Sequence, residues 1–214
     1  MPAGVSWGVP VPVGRSASIV AMATGTDLTR PHLVVGAHLD TVPQAPGGED
    51  NASGVGVLLS VAESLTGRRT RLPVVLVAFA AEEPRGPTDD DHHFGSRRYV
   101  AALGPAERRA VRGMVSLDRV GVGTVVPVCS ATGLPDPERA AVARAAARAG
   151  VPIAGCVNRS SDHWSFVRAG LPGVRIGGTS YAGYHSAGDT ADVVRRAQLA
   201  RAARLVVAWA APRG

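Results

Sequence analysis

The sequence predicts an α/β domain of three layers, in which a mixed, mostly parallel sheet lies between two layers of helices. Apolar, β-branched segments alternate along the chain with segments of helical periodicity, which is typical of this class. Several of the apolar segments are continuous rather than alternating, as in strands that are buried on both faces. With 214 residues, of which 45% are hydrophobic, the chain is expected to form one domain over residues 1–214.

Six apolar segments are predicted as strands. The first two are joined only by the segment GTDLTRP, residues 25–31. Because that segment is too short for a crossover between parallel strands, we expect the two to form an antiparallel hairpin. The predicted strands are residues 16–24, 32–39, 72–81, 111–118, 123–130 and 173–178.

Five segments with helical patterns separate or follow these strands. The first has Asn51 or Ser53 as a possible N-cap, and the third ends at Gly150, a typical C-terminal signal. Asp189 is expected to start the last helix. The predicted helices are residues 51–67, 95–103, 136–150, 161–170 and 191–210.

The charge of the chain excludes several kinds of chemistry. All 23 basic residues are Arg, and the formal net charge is +6. The absence of Lys excludes a P-loop lysine, a Schiff-base lysine and a Ser-Lys pair. The arginines lie on helical segments without interleaved aromatic residues, which indicates solvated helix faces and predicts no nucleic-acid partner. A basic domain that binds a partner or nucleic acid through these helices is the non-enzymatic alternative.

The chain carries no strong targeting signal. No segment approaches the roughly 18 consecutive apolar residues of a membrane span, so we expect no membrane insertion. The N-terminus lacks a basic start followed by an apolar stretch, which predicts a cytoplasmic protein. Secretion stays open if the chain is a fragment of a precursor. Cys129 and Cys156 lack CxxC spacing and are either free and buried or joined in one disulfide.

Imidazoles and carboxylates follow several predicted strands at the point where each strand ends. Because ligands bind beyond the carboxyl ends of the strands in such sheets, we expect these side chains to lie together at one edge. They are His38 and Asp40 after the second strand, Glu82 and Glu83 after the third, Asp118 after the fourth and His185 after the last.

This set of side chains predicts a site for two zinc ions. Dinuclear hydrolases hold two cations about 3.5–4 Å apart with imidazole nitrogens and carboxylate oxygens, one carboxylate bridging both. Neutral His and carboxylate suit zinc, and three protein ligands for each ion leave positions open for water and substrate. The predicted ligands are His38, Asp50, Glu83, Asp118 and His185, with Asp50 as the bridge.

Two further carboxylates fit supporting roles in such a site. Glu82, next to a ligand, can act as the general base that takes a proton from the attacking water. Asp40 lies two residues after His38 and can accept the second imidazole N–H, which fixes the tautomer of the ligand.

In their order along the chain, six segments resemble zinc aminopeptidases of the M28 type, over roughly residues 17–210. The resemblance implies that His38, Asp50 and Asp118 bind one zinc and that Asp50, Glu83 and His185 bind the other. The segments are GAHLDTV, GGEDNASGV, FAAEEP with FGS, SLDRVG, SSDHWSFVRAGLPGV and YHSAGDTADVV.

The same resemblance implies roles for residues around the metals. Glu82 resembles the general acid and base of the family, and Asp40 resembles the carboxylate that orients His38. Tyr184 resembles the residue that polarises the carbonyl group of the scissile bond. Candidates for substrate contact in the SSDHWSF segment and just before it are Arg159, Asp162 and His163.

The chain departs from the family pattern in two places. The segment 84–93 is longer than usual, and we expect it to be a disordered acidic loop at the rim. A stray metal site, or selection of a cationic substrate N-terminus, is the alternative for its residues Asp89, Asp90, Asp91, His92 and His93. The chain also begins later than many relatives and would lack their N-terminal helices.

The sequence thus predicts a dinuclear zinc aminopeptidase that hydrolyses the N-terminal peptide bond of peptides. Other zinc-dependent amide chemistry on the same scaffold, such as glutaminyl cyclisation or deacylation, stays open, as does the non-catalytic basic domain. The sequence leaves open the preferred N-terminal residue and the oligomeric state.

Overall fold

A mixed sheet of nine strands forms the centre of the computed structural model, which describes residues 5–7, 11–13 and 16–212, the first two segments by backbone alone. The strands are β1 Val5–Trp7, β2 Val11–Val13, β3 Ser16–Ala23, β4 His32–His38, β5 Val74–Phe79, β6 Val111–Leu117, β7 Val126–Ser130, β8 Ile153–Val157 and β9 Val174–Ile176. Their order is β1-β3-β5-β4-β6-β9-β7-β8, and β2 also pairs with β3.

Four neighbouring strands, β5, β4, β6 and β9, run parallel to one another. Their carboxyl ends therefore meet at one edge of the sheet. On one side β3 pairs antiparallel with β5, and on the other β7 pairs antiparallel with β9. Strand β8 lies parallel to β7. The predicted mixed sheet with a parallel centre is confirmed.

The predicted hairpin between β3 and β4 is wrong. Both edges of β4 are occupied by parallel partners, β5 and β6. Strand β3 is antiparallel as expected, but it pairs with β5, with Val20 opposite Val77. The short segment 25–31 therefore does not form a hairpin turn. It joins two strands that are separated in the sheet by β5.

Strand β4 shows why a continuous apolar segment predicted a strand covered on both faces. All residues of His32–His38 are buried. Leu33 and Val35 belong to one apolar cluster, whereas Val34 belongs to a second. Because successive side chains point to opposite faces of a strand, the two clusters lie on the two faces of the sheet.

Helices cover both faces of the sheet, which confirms the three-layer architecture. Residues of α1, α4 and α6 join the cluster that holds Leu33, and residues of α2 and α5 join the cluster that holds Val34. The helices are α1 Gly54–Leu65, α2 Phe94–Ala102, α3 Pro105–Ala110, α4 Pro137–Ala149, α5 His163–Arg168 and α6 Arg196–Ala210.

The ends of two helices test the predicted capping signals. Helix α4 begins after Asp136, whose carboxylate accepts the N–H groups of Glu138 and Arg139, and it ends at Gly150 as expected. Helix α6 begins only at Arg196, so Asp189 does not start it. That expectation for Asp189 is wrong, because its carboxylate has other partners, described below.

Cys129 and Cys156 form a disulfide bond. The two residues lie directly opposite each other in the register of β7 and β8, so the bond joins adjacent strands. Of the two states that the sequence left open, the structure has the disulfide. Within the described residues, every helix falls short of the length and apolar character of a membrane span.

Candidate metal centre

The carboxyl edge of the four parallel strands brings the five predicted ligands together. His38 is the last residue of β4, and Asp118 directly follows β6. Glu83 lies in the turn after β5. Asp50 lies in the helical turn Gly48–Ser53 before α1, and His185 lies in the loop between β9 and α6. Each ligand thus comes from a different segment.

The two carboxylate oxygens of Asp50 face two different imidazoles. Its Oδ1 lies 3.2 Å from Nε2 of His38, and its Oδ2 lies 3.4 Å from Nε2 of His185. Asp118 Oδ1 is 3.9 Å from His38 Nε2, and Glu83 Oε2 is 3.2 Å from His185 Nε2. Ligands about 2.1 Å from a tetrahedral metal ion lie about 3.4 Å apart, so the spacing fits two ions with Asp50 as the bridge.

Buried polar atoms in this cluster lack partners. Glu83 Oε1 and His185 Nε2 make no hydrogen bond with any described residue. Burial, followed by the nearby charges of Asp50 and Glu82, raises the pKa of Glu83 to about 9. Burial also raises the pKa of Asp50. Because cations would supply the missing partners and offset the repulsion among the carboxylates, the donor set fits a pair of metal ions.

Asp118 also contacts a buried arginine that the sequence did not reveal. Arg175 on β9 donates from Nη2 to Asp118 Oδ1 at 2.9 Å and from Nη1 to Asn158 Oδ1 at 3.0 Å. Burial raises the pKa of Asp118, but Arg175 and then His38 lower it, and the result lies well below the usual range. Asp118 is therefore held ionised.

Glu82 is also held ionised, although it is buried. Burial raises its pKa, but the charges of His38 and His93 lower it below the usual value. His93 Nε2 lies 3.1 Å from Glu82 Oε1. An ionised carboxylate can accept a proton, which is the state that the predicted general base requires.

The segment 84–93 is ordered in the structure, so its interpretation as a disordered rim loop is wrong. Asp91 accepts hydrogen bonds from the N–H and hydroxyl of Thr88, and Asp90 accepts one from Arg168 of α5. The Arg168 contact joins the segment to α5, and His93 at its end is buried. Among the described residues, the acidic side chains of this segment form no cluster suited to a metal ion.

Asp40 connects the end of β4 to the turn that carries Glu82 and Glu83. Its carboxylate accepts the N–H groups of Glu82 at 2.9 Å and Glu83 at 3.0 Å. The partner of His38 Nδ1 is the main-chain carbonyl oxygen of Asp40 at 3.0 Å, whereas the nearer carboxylate oxygen is 3.8 Å away. The predicted orientation of His38 by the Asp40 carboxylate is therefore replaced by a main-chain contact.

Asn51 connects the Asp50 turn to the end of β6. Its Nδ2 donates to the carbonyl oxygen of Leu117 at 2.9 Å, and its Oδ1 accepts the N–H of Arg119 at 3.2 Å. The same oxygen accepts the N–H of Gly54 at the start of α1. Of the two predicted N-caps, Ser53 occupies the N-cap position without a side-chain capping bond, whereas Asn51 accepts the first N–H of the helix and also positions the segment around Asp118.

Asp189 connects the His185 loop to the Asp50 turn. Its fully buried carboxylate accepts the N–H of Glu49 at 2.7 Å and that of Asp50 at 3.2 Å. Because the partners are about 140 residues apart in the sequence, no local pattern distinguishes this role from a helix cap. In the sequence, only its position four residues after His185 indicated that Asp189 could belong to the site.

A cavity of about 110 Å³ lies beside the predicted ligands. Tyr184, which is 43% exposed, lines it, and its ring stacks on His185 with the centroids 3.8 Å apart. The guanidinium carbon of Arg119 lies 4.2 Å from the centroid of the Tyr184 ring on the cavity wall. Tyr184 is thus placed where a substrate carbonyl group could reach it, and its role stays a prediction.

The three candidates for substrate contact do not line this cavity. Arg159 donates to the carbonyl oxygen of Ala131 and lies over the ring of Trp164. Asp162 and His163 are fully buried. Burial, followed by the charge of Glu82, raises the pKa of Asp162 to about 7, so its carboxyl group lies near that of Glu82.

Left-handed backbone conformations surround the centre. Ala81, His93, Arg119 and His185 are the residues other than glycine that have a positive φ within the described ranges. Each directly precedes or follows a predicted site residue, is one, or contacts one. Such conformations carry a cost and concentrate at functional sites, which supports a binding role for this edge of the sheet.

The mixed α/β/α sheet brings imidazoles and carboxylates together in an arrangement that fits two cations, as in dinuclear metalloproteins. The chain matches the Peptidase family M28 over residues 18–210 and belongs to that family. It is 33% identical over 107 residues to the aminopeptidase YwaD of Bacillus subtilis (strain 168), covering 50% of this chain and 22% of the relative. It is 35% identical over 124 residues to the uncharacterized protein YfbL of Escherichia coli (strain K12), covering 54% and 36%.

Solved structures give the same fold. BSAP, a zinc aminopeptidase from Bacillus subtilis, has a TM-score of 0.82 at 26% identity, covering 91% of this chain and 49% of that chain. A glutaminyl cyclase from Bacteroides thetaiotaomicron has a TM-score of 0.78 at 18% identity, covering 99% and 84%. The latter identity shows a shared fold alone. The chain spans about half of the length of BSAP and less of the two curated relatives named above.

Proposed function

We propose that this protein is a dinuclear zinc aminopeptidase that hydrolyses the N-terminal peptide bond of peptides. The observation that carries the proposal is the position of Asp50 between His38 and His185, one carboxylate oxygen facing each imidazole. Membership of peptidase family M28 and similarity to aminopeptidases such as BSAP support it.

The chain would hold one ion through His38, Asp50 and Asp118 and the other through Asp50, Glu83 and His185. When bound, two zinc ions act as Lewis acids on the scissile carbonyl group and lower the pKa of water. The buried atoms without partners in this cluster support metal binding at these residues.

Glu82 would take a proton from the attacking water and then donate it to the amine of the leaving peptide. Its depressed pKa keeps it ionised before the reaction. Tyr184 would donate a hydrogen bond to the oxygen of the scissile carbonyl group. Burial raises the pKa of Tyr184 to about 12, so the phenol keeps its proton at neutral pH.

Metal analysis of the purified protein together with a panel of aminoacyl-anilides tests this function. The expected result is close to two zinc ions per chain and anilide hydrolysis that a chelator abolishes and zinc restores. Cyclisation of peptides with N-terminal Gln, without hydrolysis, would contradict it and favour a cyclase. Salt-sensitive DNA binding without chelator-sensitive hydrolysis would favour the basic binding domain instead.

A further inference from the structure

The wall of the cavity beside the metal centre carries an arginine without a hydrogen-bond acceptor. The side chain of Arg119 is 13% exposed and donates no hydrogen bond in the described part of the chain. Its Nε lies 3.7 Å from Asp118 Oδ1 and 4.0 Å from Asp50 Oδ2, beyond hydrogen-bond distance. Among the described residues, the five N–H donors of this guanidinium group therefore have ionic neighbours but no hydrogen-bond acceptor.

The position of this guanidinium group is fixed. It stacks on the ring of Tyr184, which itself stacks on His185. The backbone of Arg119 has a left-handed conformation with φ of 54°, and Asn51 accepts its N–H. Because its orientation is set by these contacts, Arg119 loses little freedom when it binds an anion.

The neighbouring carboxylates cannot serve as its permanent partners when the site is loaded. Asp50 and Asp118, the acidic groups closest to Nε of Arg119, are both proposed ligands of the two divalent ions. Arg175, by contrast, already donates to Asp118 and Asn158. Arg119 is therefore the cationic group of the cavity wall that stays available to a ligand.

We propose that Arg119 is a specificity-determining residue that binds a carboxylate group of the substrate close to the scissile bond. Its planar fork matches a carboxylate in two parallel hydrogen bonds. The cavity, at about 110 Å³, is small beside the roughly 300–1,000 Å³ of sites for drug-sized ligands, which favours a short substrate. The inference rests on the proposed peptidase function.

Two substrate groups could supply this carboxylate: the acidic side chain of the N-terminal residue, or the free C-terminus of a dipeptide. Paired substrates separate these sources. Glutamyl-anilide against glutaminyl-anilide varies only the side chain, and leucyl-glycine against leucyl-glycinamide varies only the C-terminus. We expect the zinc-loaded protein to favour the carboxylate member of at least one pair by about tenfold or more in kcat/KM.

Replacement of Arg119 tests the assignment. In Arg119→Gln, kcat/KM for the favoured carboxylate substrate should fall roughly 10- to 100-fold more than for its neutral partner. In Arg119→Lys, which keeps the positive charge but loses the planar fork, the decrease in kcat/KM for the carboxylate substrate should be intermediate. The matched control is Arg109→Gln, because Arg109 is exposed and lies just before β6, at the end of that strand opposite to Asp118. This variant should keep the wild-type ratio of kcat/KM for the carboxylate and neutral substrates.

A binding measurement separates this inference from the proposed function. In a Glu82→Gln background, calorimetry should show tighter binding of leucyl-glycine than of leucyl-glycinamide, or of glutamate than of glutamine. Adding Arg119→Gln should remove the difference. Two results would overturn the role of Arg119. One is equal affinity for the carboxylate ligand and its neutral partner in the Glu82→Gln protein. The other is a difference in affinity that persists in the Glu82→Gln, Arg119→Gln double variant. Absence of hydrolysis of every substrate, with these binding differences intact, would overturn the peptidase function alone.

Discussion

Asp50 contributes to both halves of the proposed metal centre, since each of its carboxylate oxygens faces one imidazole. Asp50→Ala should therefore lose zinc and stability together, because metal-binding free energy is part of the folding free energy. Zinc content by mass spectrometry and thermal unfolding of wild-type and variant proteins measure this. Full zinc content in the variant would contradict the bridge.

Glu82 offers a test of chemistry that leaves the metal ligands intact. Glu82→Gln should retain zinc and lose roughly 10²- to 10⁴-fold in kcat, because a neutral amide cannot take a proton from water. Zinc content and anilide hydrolysis are measured on the same preparation. Glu63→Gln, an exposed residue of α1, is the control, and turnover of the Glu82 variant equal to that control would remove the proposed role.

The residues that could be predicted from the sequence are those whose type and position at a strand end carry the signal. His38 and Asp118 are examples, since both fall where a continuous apolar segment stops. Arg175 could not be predicted in this way, because an arginine within a strand gives no indication of a buried partner. The same holds for His93, whose approach to Glu82 depends on the path of the segment 84–93.

Three side chains link the segments that carry the ligands. Asp40 links the ends of β4 and β5, Asn51 links the Asp50 turn to β6, and Asp189 links that turn to the His185 loop. Asp40 and Asp189 accept main-chain N–H groups, and Asn51 both accepts such groups and donates to a carbonyl oxygen. These bonds fix one segment relative to another. The arrangement of the ligands thus depends on buried hydrogen bonds between elements as well as on the sheet.

Asp189 tests this dependence. Asp189→Ala leaves the N–H groups of Glu49 and Asp50 without their acceptor, and we expect zinc affinity to fall roughly 10- to 100-fold. In Asp189→Asn, which keeps one acceptor oxygen, zinc affinity should fall less. Competition with a chromophoric chelator measures the affinity. Asp192→Ala, an exposed position three residues later, is the control, and equal affinities in the two alanine variants would contradict the role.

Packing between α4 and α6 has a pH dependence of its own. Trp209 donates to Glu138 at 2.7 Å, and burial raises the pKa of Glu138 from 4.5 to about 7. Because the unfolded chain ionises at lower pH than the folded chain, this carboxyl group stabilises the folded state below about pH 4.5. That contribution falls as pH rises and is gone above about pH 7.

The variant Glu138→Gln should lose this pH dependence, since its neutral amide still accepts the Trp209 hydrogen bond. Between pH 4.5 and 7, wild-type protein should lose on the order of 2–3 kcal/mol of unfolding free energy relative to the variant. Urea unfolding at several pH values measures it. Parallel pH profiles for wild-type, Glu138→Gln and Glu63→Gln proteins would contradict the assigned pKa.

Elements with a strong periodic pattern could be predicted, and the weaker ones could not. Strand β4 and helices α1 and α4 begin and end within a few residues of the predicted bounds. Strand β8 was missed because its sequence IAGCV combines small residues with a glycine. The start of α6 was misplaced because the apolar Val193 and Val194 continue the helical pattern backwards into a turn.

The disulfide adds a restraint on the whole chain. Cys129 and Cys156 are separated by 27 residues, and closing a loop of this length stabilises a fold by about 3–4 kcal/mol through the unfolded state. A Cys129→Ser, Cys156→Ser double variant should lose about this much in urea unfolding under oxidising conditions. Reduced wild-type protein should match the variant, and equal stability of oxidised and reduced wild-type protein would contradict the bond.

Across the whole molecule, the sequence predicted the fold class and the edge of the sheet that holds the site. Both follow from local alternation of strands and helices and from the rule that parallel strands share a carboxyl edge. The order of the strands could not be predicted, because the pairing of β3 with β5 depends on two segments more than 50 residues apart, Val20 and Val77 being partners. The short segment between β3 and β4 suggested that β4 pairs with β3, which is wrong.

That pairing has a consequence for how the sheet is assembled. Residues of β3 leave the ribosome before β4 and β5, yet their partner Val74–Phe79 is made only after α1. One side of the sheet therefore closes through a contact distant in sequence, which is slow to form. During synthesis β3 can pair with β1 and β2, which precede it, but the edge that receives β5 stays open until β5 has been made, and this open edge exposes the nascent chain to wrong association.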